Sequence, residues 1–358
     1  MFAKRGLSAN GLGGHVRHRN VGQWPLELSE IAMGTGDNAG GLVYASTDQQ
    51  LALVRRALDL GINTFDTSPD YGKGLGEANL GRVLRDLNVR DATIISKVEI
   101  MPEEFGRIPD KVRESIDDSL LRLGRDHIDV LMLHNPTRLA RDTSQRMWSP
   151  LTEQDVLNEV MPALELAVRE GKARFLGLST EASETSVVDA LLRTGRFALL
   201  NVWFNLANPS AAMRASAAPT AQDYSGLFAS AERHGAGVAV IRPLAGGALT
   251  ANGIRRAKER HALSRGFFDQ FPAAWEAELE RAAHFAFLDR PPEQRISEAA
   301  MRYILGHPVV STVIGGFSEP AQVEDAVNSA ARGPLAEDDL RLIDNIFARE
   351  FSGAGEQA

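Results

Sequence analysis

Eight short apolar runs, separated by polar loops and amphipathic stretches, restrict the fold of this chain more than any other feature. They are "SEIAMG" (29–34), "INTFD" (62–66), "ATIISKV" (92–98), "IDVLMLH" (128–134), "ARFLGLS" (173–179), "FALLNVWF" (197–204), "GVAVIRP" (237–243) and "VVSTVIG" (309–315). The runs are continuous rather than alternating, as strands of a parallel sheet must be when both faces are covered. Helical patterns lie between them, at 46–61, 108–124 and 157–172 among others. In the first, Ser46 or Thr47 can cap, Leu51, Val54 and Leu58 form a stripe, and Gly61 stops the helix. Eight such units in 358 residues predict an α/β fold, a (β/α)8 TIM barrel, with a doubly wound open sheet as the competitor.

Two segments exceed the minimal unit. Residues 205–225, rich in Ala, Ser and Pro, read as a long loop after strand six. Residues 247–296 form an insertion after strand seven that contains the helical pattern "AAWEAELERAAHFAFL". Both would emerge at the C-terminal face of a barrel, where substrates bind. A last helix is expected over 337–351. The expected organisation is a tail at 1–22, one barrel domain at 23–351 and a tail at 352–358.

Composition removes several function classes. Lys and Arg number 39 against 47 Asp and Glu, a formal charge of −8, which argues against non-specific binding to nucleic acid or acidic membranes. With no cysteine, thiolate metal sites, disulfides and Cys nucleophiles are excluded. The eight His are scattered without metal-ligand spacing, so no metal is expected. No apolar run reaches the length of a membrane span, and the N-terminus lacks a signal-peptide core, so a cytoplasmic location is the default expectation.

In a barrel, chemistry collects at the C-terminal ends of strands. Strand two ends at Asp66 with Tyr71 just beyond, strand three near Lys97, and strand four at His134. Each alone has an ordinary structural role: a helix cap, a loop aromatic, a snorkelling amine, a structural imidazole. Together they carry more. A buried Lys needs a counter-charge, which Asp66 can supply. A phenol near pH 10 is a poor proton exchanger at neutral pH, and an adjacent ammonium is expected to lower it. The set makes Tyr71 a tuned acid or base, Lys97 and Asp66 its tuners, and His134 a hydrogen-bonding orienter of a substrate oxygen.

The stretch "GINTFDTSPDYGKGLGEANLGRVL", followed in order by "ISKV", "IDVLMLHNP" and "GKARFLGLST", resembles the aldo-keto reductase family from about residue 26 to 330. The resemblance implies a nicotinamide cofactor across the barrel mouth, with Tyr71 as general acid/base, Lys97 and Asp66 as its charge partners and His134 as orienter. It places Ser179 at the nicotinamide carboxamide. Beside it stands Thr180, where the family usually has Asn, and Asn201 stands where it usually has Gln.

"VIGGFSEPAQVEDAV" (313–327) resembles the family's pyrophosphate and ribose-phosphate segment, so Gly315, Gly316, Phe317, Ser318, Glu319 and Gln322 are candidate cofactor contacts. NADPH-preferring members usually carry basic residues there. Residues 313–331 hold none, but do hold Glu319, Glu324 and Asp325. A carboxylate would repel a 2′-phosphate and can bond a 2′-hydroxyl, which favours NAD over NADP.

"YGKGLGE" resembles the form found in sugar and pyridoxal dehydrogenases of the family. The expectation is an NAD-dependent oxidoreductase acting on an aldose or similar cyclic hemiacetal, with a small-molecule substrate and neither nucleic acid nor membrane as partner. The alternatives are an NADPH-dependent aldehyde or ketone reductase, a Schiff-base aldolase-type barrel using Lys97, and a non-catalytic cofactor-binding protein. Arg138, Trp148, Arg214, Phe267, Phe268 and Trp275 could line the substrate cleft.

Overall fold

The computed structural model describes residues 15–144, 148–213, 222–255, 261–264 and 272–351. A hairpin comes first: β1 (His18–Val21) pairs antiparallel with β2 (Trp24–Ser29). Eight parallel strands follow: β3 (Ile31–Gly34), β4 (Thr64–Asp66), β5 (Thr93–Val98), β6 (Ile128–Leu133), β7 (Ala173–Ser179), β8 (Phe197–Trp203), β9 (Gly237–Ile241) and β10 (Val310–Gly316). They close in the order β10-β3-β4-β5-β6-β7-β8-β9, the predicted (β/α)8 barrel rather than an open sheet. Each coincides with one of the apolar runs, because both faces of every strand must be dry.

The principal helices are α1 (Thr47–Asp59), α2 (Leu75–Asp86), α3 (Ile108–Leu123), α4 (Met161–Arg169), α5 (Thr185–Leu192), α6 (Leu227–Arg233), α7 (Pro272–Ala283), α8 (Ile296–Leu305), α9 (Pro320–Ala331) and α10 (Glu337–Ala348). Ser46 caps α1 in a reciprocal capping box with Gln49. The buried face of α1 is Gln50, Leu53, Val54 and Ala57; Leu51 and Leu58 pack only partly, so the stripe is rotated from the predicted one. The predicted helix over 157–172 opens instead with a π-helical turn, Val156–Val160, before α4. Pro162 explains it, since it offers no N–H to the preceding turn.

The N-terminal boundary also moves. Residues 1–22 were expected as a tail, but His18–Val21 is a strand. Val21, Leu26 and Leu28 of the hairpin join Ala32, Ile95, Val130, Met132, Leu199, Ala239 and Ile314 in the barrel's inner cluster. The hairpin is tied there by Ser311 Oγ donating to Asn20 O at 2.9 Å and Thr312 Oγ1 to Ser29 O at 2.8 Å. A mixed run such as "HVRHRNV" carries no barrel-strand signal, because only alternate residues face the core. Residues 1–14 and the C-terminal tail, 352–358, lie outside the described residues.

The insertion after β9 builds a second core. Leu279 and Ala282 of α7, with Phe285 and Leu288, pack with Ile296, Ala299, Leu335 and Ile343. The predicted C-terminal helix, α10, thereby anchors the insertion. Among the described residues no helix is long and apolar enough to cross a membrane.

One close approach on the flank gives a test. A Cβ at Gly81 of α2 would lie 2.3 Å from Leu123 O and 2.7 Å from Leu123 Cα at the end of α3. In an open helix Gly→Ala gains about 1 kcal/mol. Here Gly81→Ala is expected to lose roughly 1–3 kcal/mol by overpacking, read as a lower urea midpoint. An increase would mean that α2 and α3 do not touch there.

Candidate active site

Asp66 is the last residue of β4, and Lys97 lies one residue before the end of the neighbouring β5. Both are buried, at 2% exposure each. Lys97 Nζ donates to Asp66 Oδ1 and Oδ2 at 2.8 Å each, to Thr67 O at 2.8 Å, and to Tyr71 OH at 3.3 Å. A buried ion pair seldom adds stability over an apolar pair, and breaking one costs about 3–5 kcal/mol, so stability alone does not account for it. What the pair does is hold an ammonium against a phenol. An amine with this many acceptors offers no free lone pair to a carbonyl, which argues against the Schiff-base reading.

Tyr71 sits in the turn between β4 and α2. Gly72 adopts φ +59, and a Cβ there would lie 2.5 Å from Val43 Cγ1. The ring packs over Gly36, 3.6 Å from its would-be Cβ. These glycines let the backbone turn tightly enough to bring the phenol to Lys97. The following Glu77 is wholly buried; Ser96 Oγ donates to it at 2.6 Å and Arg122 Nε at 2.7 Å, so it locks α2 to β5 and α3.

The expected lowering of the Tyr71 phenol does not occur. Burial, then the Asp66 carboxylate and the charges of Glu181, Asp70 and Asp37, push it well above its usual value. The reason is that Asp66 chelates the ammonium: the phenol faces a neutral Lys97–Asp66 pair, not a lone cation, so desolvation wins. Tyr71 therefore carries its proton at neutral pH, and that proton is present to be given to an oxygen that gains charge.

His134 follows β6 and completes the group. Its ring lies 6.4 Å from that of Tyr71 and 5.4 Å from that of Trp148, centroid to centroid. Asn135 secures its position by accepting from Ile100 N and donating to Ile100 O, both at 2.8 Å, and to Ser149 O at 2.9 Å. His134 Nδ1 is 3.1 Å from Asp70 Oδ2 and 3.5 Å from Ser68 Oγ. Asp70 itself approaches Glu99, a residue from the end of β5. Donor atoms of Asp70, Glu99 and His134 all lie within 4.8 Å of one another. Desolvation would raise Asp70, but hydrogen bonds from His134 and Glu99 outweigh it and lower the carboxyl to about 2. Burial and the Asp70 carboxylate raise Glu99 from 4.5 to about 8. The two carboxyls therefore share one proton. Sequence reasoning missed Asp70 and Glu99; 29 positions separate them, and only adjacent strands bring them together.

The cofactor candidates fall into two groups. Ser179 on β7 and Asn201 on β8 are register partners and both are buried. Asn201 Oδ1 is buried without a hydrogen-bond partner, which fits a site awaiting an amide donor such as a carboxamide. Thr180 Oγ1 donates to Asn201 O at 2.8 Å, which braces the strand end and leaves its oxygen free to accept. At the end of β10, a Cβ on Gly315 would strike Phe317 Cζ at 2.3 Å, and one on Gly316 would lie 3.0 Å from Ala39 Cβ. Ser318 N donates to Gln322 Oε1 at 2.8 Å and Ser318 Oγ to Ala39 O at 2.6 Å, so Gln322 and Ser318 shape the turn that starts α9. Glu319 is the N-cap of α9 without a side-chain cap bond, half-exposed, 3.8 Å from His261 Nε2.

The fold qualifies the acidic reading of this segment. Arg56 of α1 reaches Glu324 of α9 at 2.7 Å, so a cation stands at a segment that has none of its own. Of the candidate cleft residues, Trp148 packs on His134, and Trp275 approaches Gly247. Arg138 is displaced: its Nε donates to Ala182 O at 2.7 Å, and with Ser183, Glu184 and Asp223 it lines an outer concavity. Arg214, Phe267 and Phe268 lie outside the described residues.

Comparison with known proteins gives concordant results. The model of the "Aldo/keto reductase family" matches residues 30–348. The chain is 29% identical to L-galactose dehydrogenase of Arabidopsis thaliana over 316 residues, 87% of each chain. It is 28% identical to L-glyceraldehyde 3-phosphate reductase of Escherichia coli over 94% of this chain and 93% of that one. It is 27% identical to D-threo-aldose 1-dehydrogenase of Pseudomonas sp over 85% and 90%. Among solved structures, an aldo-keto reductase of Bacillus halodurans in its holo form superposes with a TM-score of 0.70 at 23% identity, covering 93% of this chain and 96% of that one, which speaks for the fold.

The carboxyl pair predicts a pH effect on stability. Between its ordinary 4.5 and about 8, Glu99 is ionised in the unfolded chain but protonated in the folded one, so rising pH costs stability across that window. Asp70 acts oppositely: its contribution is present at neutral pH and is lost as pH falls towards about 2. Glu99→Gln is expected to flatten the fall of the thermal midpoint between pH 5 and 8. An unchanged slope would mean that Glu99 holds no proton there.

Proposed function

The chain belongs to the aldo/keto reductase family, and on that premise we propose that it is an NAD-dependent dehydrogenase oxidising a neutral aldose or similar cyclic hemiacetal. The observation that carries the reading is the Tyr71 hydroxyl 3.3 Å from a Lys97 ammonium that Asp66 holds at 2.8 Å, in a barrel mouth shared with His134. A nicotinamide cofactor, when bound, accepts or supplies the hydride. Ser179 and Asn201 would hold its carboxamide, and the β10–α9 turn from Gly315 to Glu319 its phosphates and ribose.

The chain's own groups then divide the work. In reduction Tyr71 gives its proton to the oxygen as charge develops, and Lys97 steadies the phenolate that remains, with Asp66 keeping Lys97 in place. His134 holds the same oxygen. Carboxyl groups of Asp37, Asp70, Glu99 and Glu181 act on this region. A phosphorylated or acidic substrate would meet repulsion from them, whereas sugar hydroxyls find acceptors. Two relatives named for sugar oxidation support this choice.

The NAD preference rests on Glu319, half-exposed at the start of α9. A second reading, an NADPH-dependent aldehyde or ketone reductase, is favoured by one observation: Arg56 stands beside that segment, 2.7 Å from Glu324.

Fluorescence titration with NADH and NADPH decides between them. Tighter NADH binding is expected, and Glu319→Arg should raise NADPH affinity; tighter NADPH binding by the parent would assign the site to Arg56. Tyr71→Phe is expected to lower turnover about 10²–10⁴-fold while cofactor binding persists. Turnover equal to the parent's would remove Tyr71 from the chemistry.

A further inference from the structure

Two carboxyl groups beside His134, those of Asp70 and Glu99, have no part in the proton transfer assigned to Tyr71. Asp70 follows β4, Glu99 follows β5 and His134 follows β6, so three neighbouring strand ends bring them together. His134 Nδ1 lies 3.1 Å from Asp70 Oδ2, and the donor atoms of all three residues come within 4.8 Å of one another. No other set of three such residues does so among the described residues. Positions 70, 99 and 134 are too far apart along the chain to show a metal-ligand spacing, which is why the sequence carries no sign of the cluster.

Glu99 is 8% exposed and His134 7%. Trp148 N–H donates to Glu99 Oε1 at 2.8 Å and fixes the carboxyl group. Its Oε2 is buried and receives no hydrogen bond, so it is the oxygen left to a ligand. The nearby cations are already committed. Lys97 Nζ grips both oxygens of Asp66 at 2.8 Å, and Lys111 Nζ lies 2.8 Å from Glu104 Oε1. Among the described residues, no Lys or Arg forms an ion pair with Asp70 or Glu99. A proton shared by the two carboxyls offsets one of their charges, whereas a divalent cation offsets both.

We propose that Asp70, Glu99 and His134 form a binding site for a divalent transition cation of the zinc class. One imidazole nitrogen with two carboxylate oxygens suits Zn²⁺, whereas Mg²⁺ and Ca²⁺ take shells of oxygen alone. Zinc holds such donors at about 2.0–2.2 Å, and tetrahedral ligands at that range stand roughly 3.4 Å apart. The 3.1 Å between Nδ1 and Asp70 Oδ2 already meets that spacing, and Glu99 Oε2 has only to close on them. Water fills the fourth position. The Asp70 side chain is 25% exposed, which gives the ion a path from solvent.

The ring is held by structure outside the cluster. Asn135 ties the strand end to Ile100, and Trp148 packs on the imidazole at 5.4 Å between centroids. Such outer contacts orient metal ligands. A cation on Nδ1 also leaves the hydrogen of the neutral ring on Nε2. That is the form in which the imidazole donates to an oxygen, so a bound ion is compatible with His134 as an orienter of substrate. The site does not depend on the dehydrogenase reading, because binding is measured without cofactor or substrate.

The test uses the full-length protein, stripped of metal by a chelator and then titrated with zinc against a chromophoric chelator. One tight equivalent is expected. Glu99→Gln and Asp70→Asn should each weaken it at least about tenfold, the least that loss of even an outer-shell partner costs. His127→Gln, at the exposed His127–Asp129 pair, should leave it unchanged. Magnesium at the same concentration should not displace zinc. Saturating zinc should raise the melting temperature of the parent more than that of either carboxyl variant. X-ray absorption of the parent's zinc complex should show one imidazole among oxygen neighbours, which decides the matter even where a variant fails to fold. Failure of zinc to compete with the chelator would overturn the proposal. So would equal binding by the parent and both carboxyl variants, loss of the site in His127→Gln, displacement by magnesium, or two imidazoles around the ion.

Discussion

An open parallel sheet has two edges of unpaired N–H and C=O groups, and this chain removes them by closing β10 on β3. Everything at the mouth follows from that closure. It sets β4, β5 and β6 side by side, so that Asp66, Lys97 and His134 leave neighbouring strands at one level. It brings Ser179 level with Asn201 across β7 and β8. It also leaves a lower end to be plugged, which the β1–β2 hairpin does with Val21, Leu26 and Leu28.

At the mouth the same low dielectric works in two directions. It makes the Lys97–Asp66 pair tight, with two contacts of 2.8 Å. It also penalises every charge that lacks a partner, which is why the Tyr71 phenol keeps its proton and one proton serves Asp70 and Glu99 together.

The barrel was legible because its signal is local. Continuous apolar runs followed by amphipathic helices recur eight times, and each run became a strand within a few residues of its expected bounds. Asp66, Tyr71, Lys97 and His134 were legible because strand ends are known once the runs are known. The hairpin was not, because a half-exposed strand such as His18–Val21 buries too few of its residues to stand out. Arg56 beside Glu324 was not, because 268 positions separate them. The bond from the Thr180 hydroxyl to Asn201 O was not, because it is visible only across a strand pair.

By itself, then, the sequence determined the architecture, the family and the residue types at the mouth, since periodicity, turn chemistry and strand ends are properties of neighbouring residues. Tertiary structure alone decided how those groups are charged. Whether Lys97 lowers the phenol depends on where Asp66 places its two oxygens, and whether Glu99 is ionised depends on how close Asp70 comes. Both are distances between strands, and electrostatic energy in a dry interior is set by distance and burial, not by order along the chain.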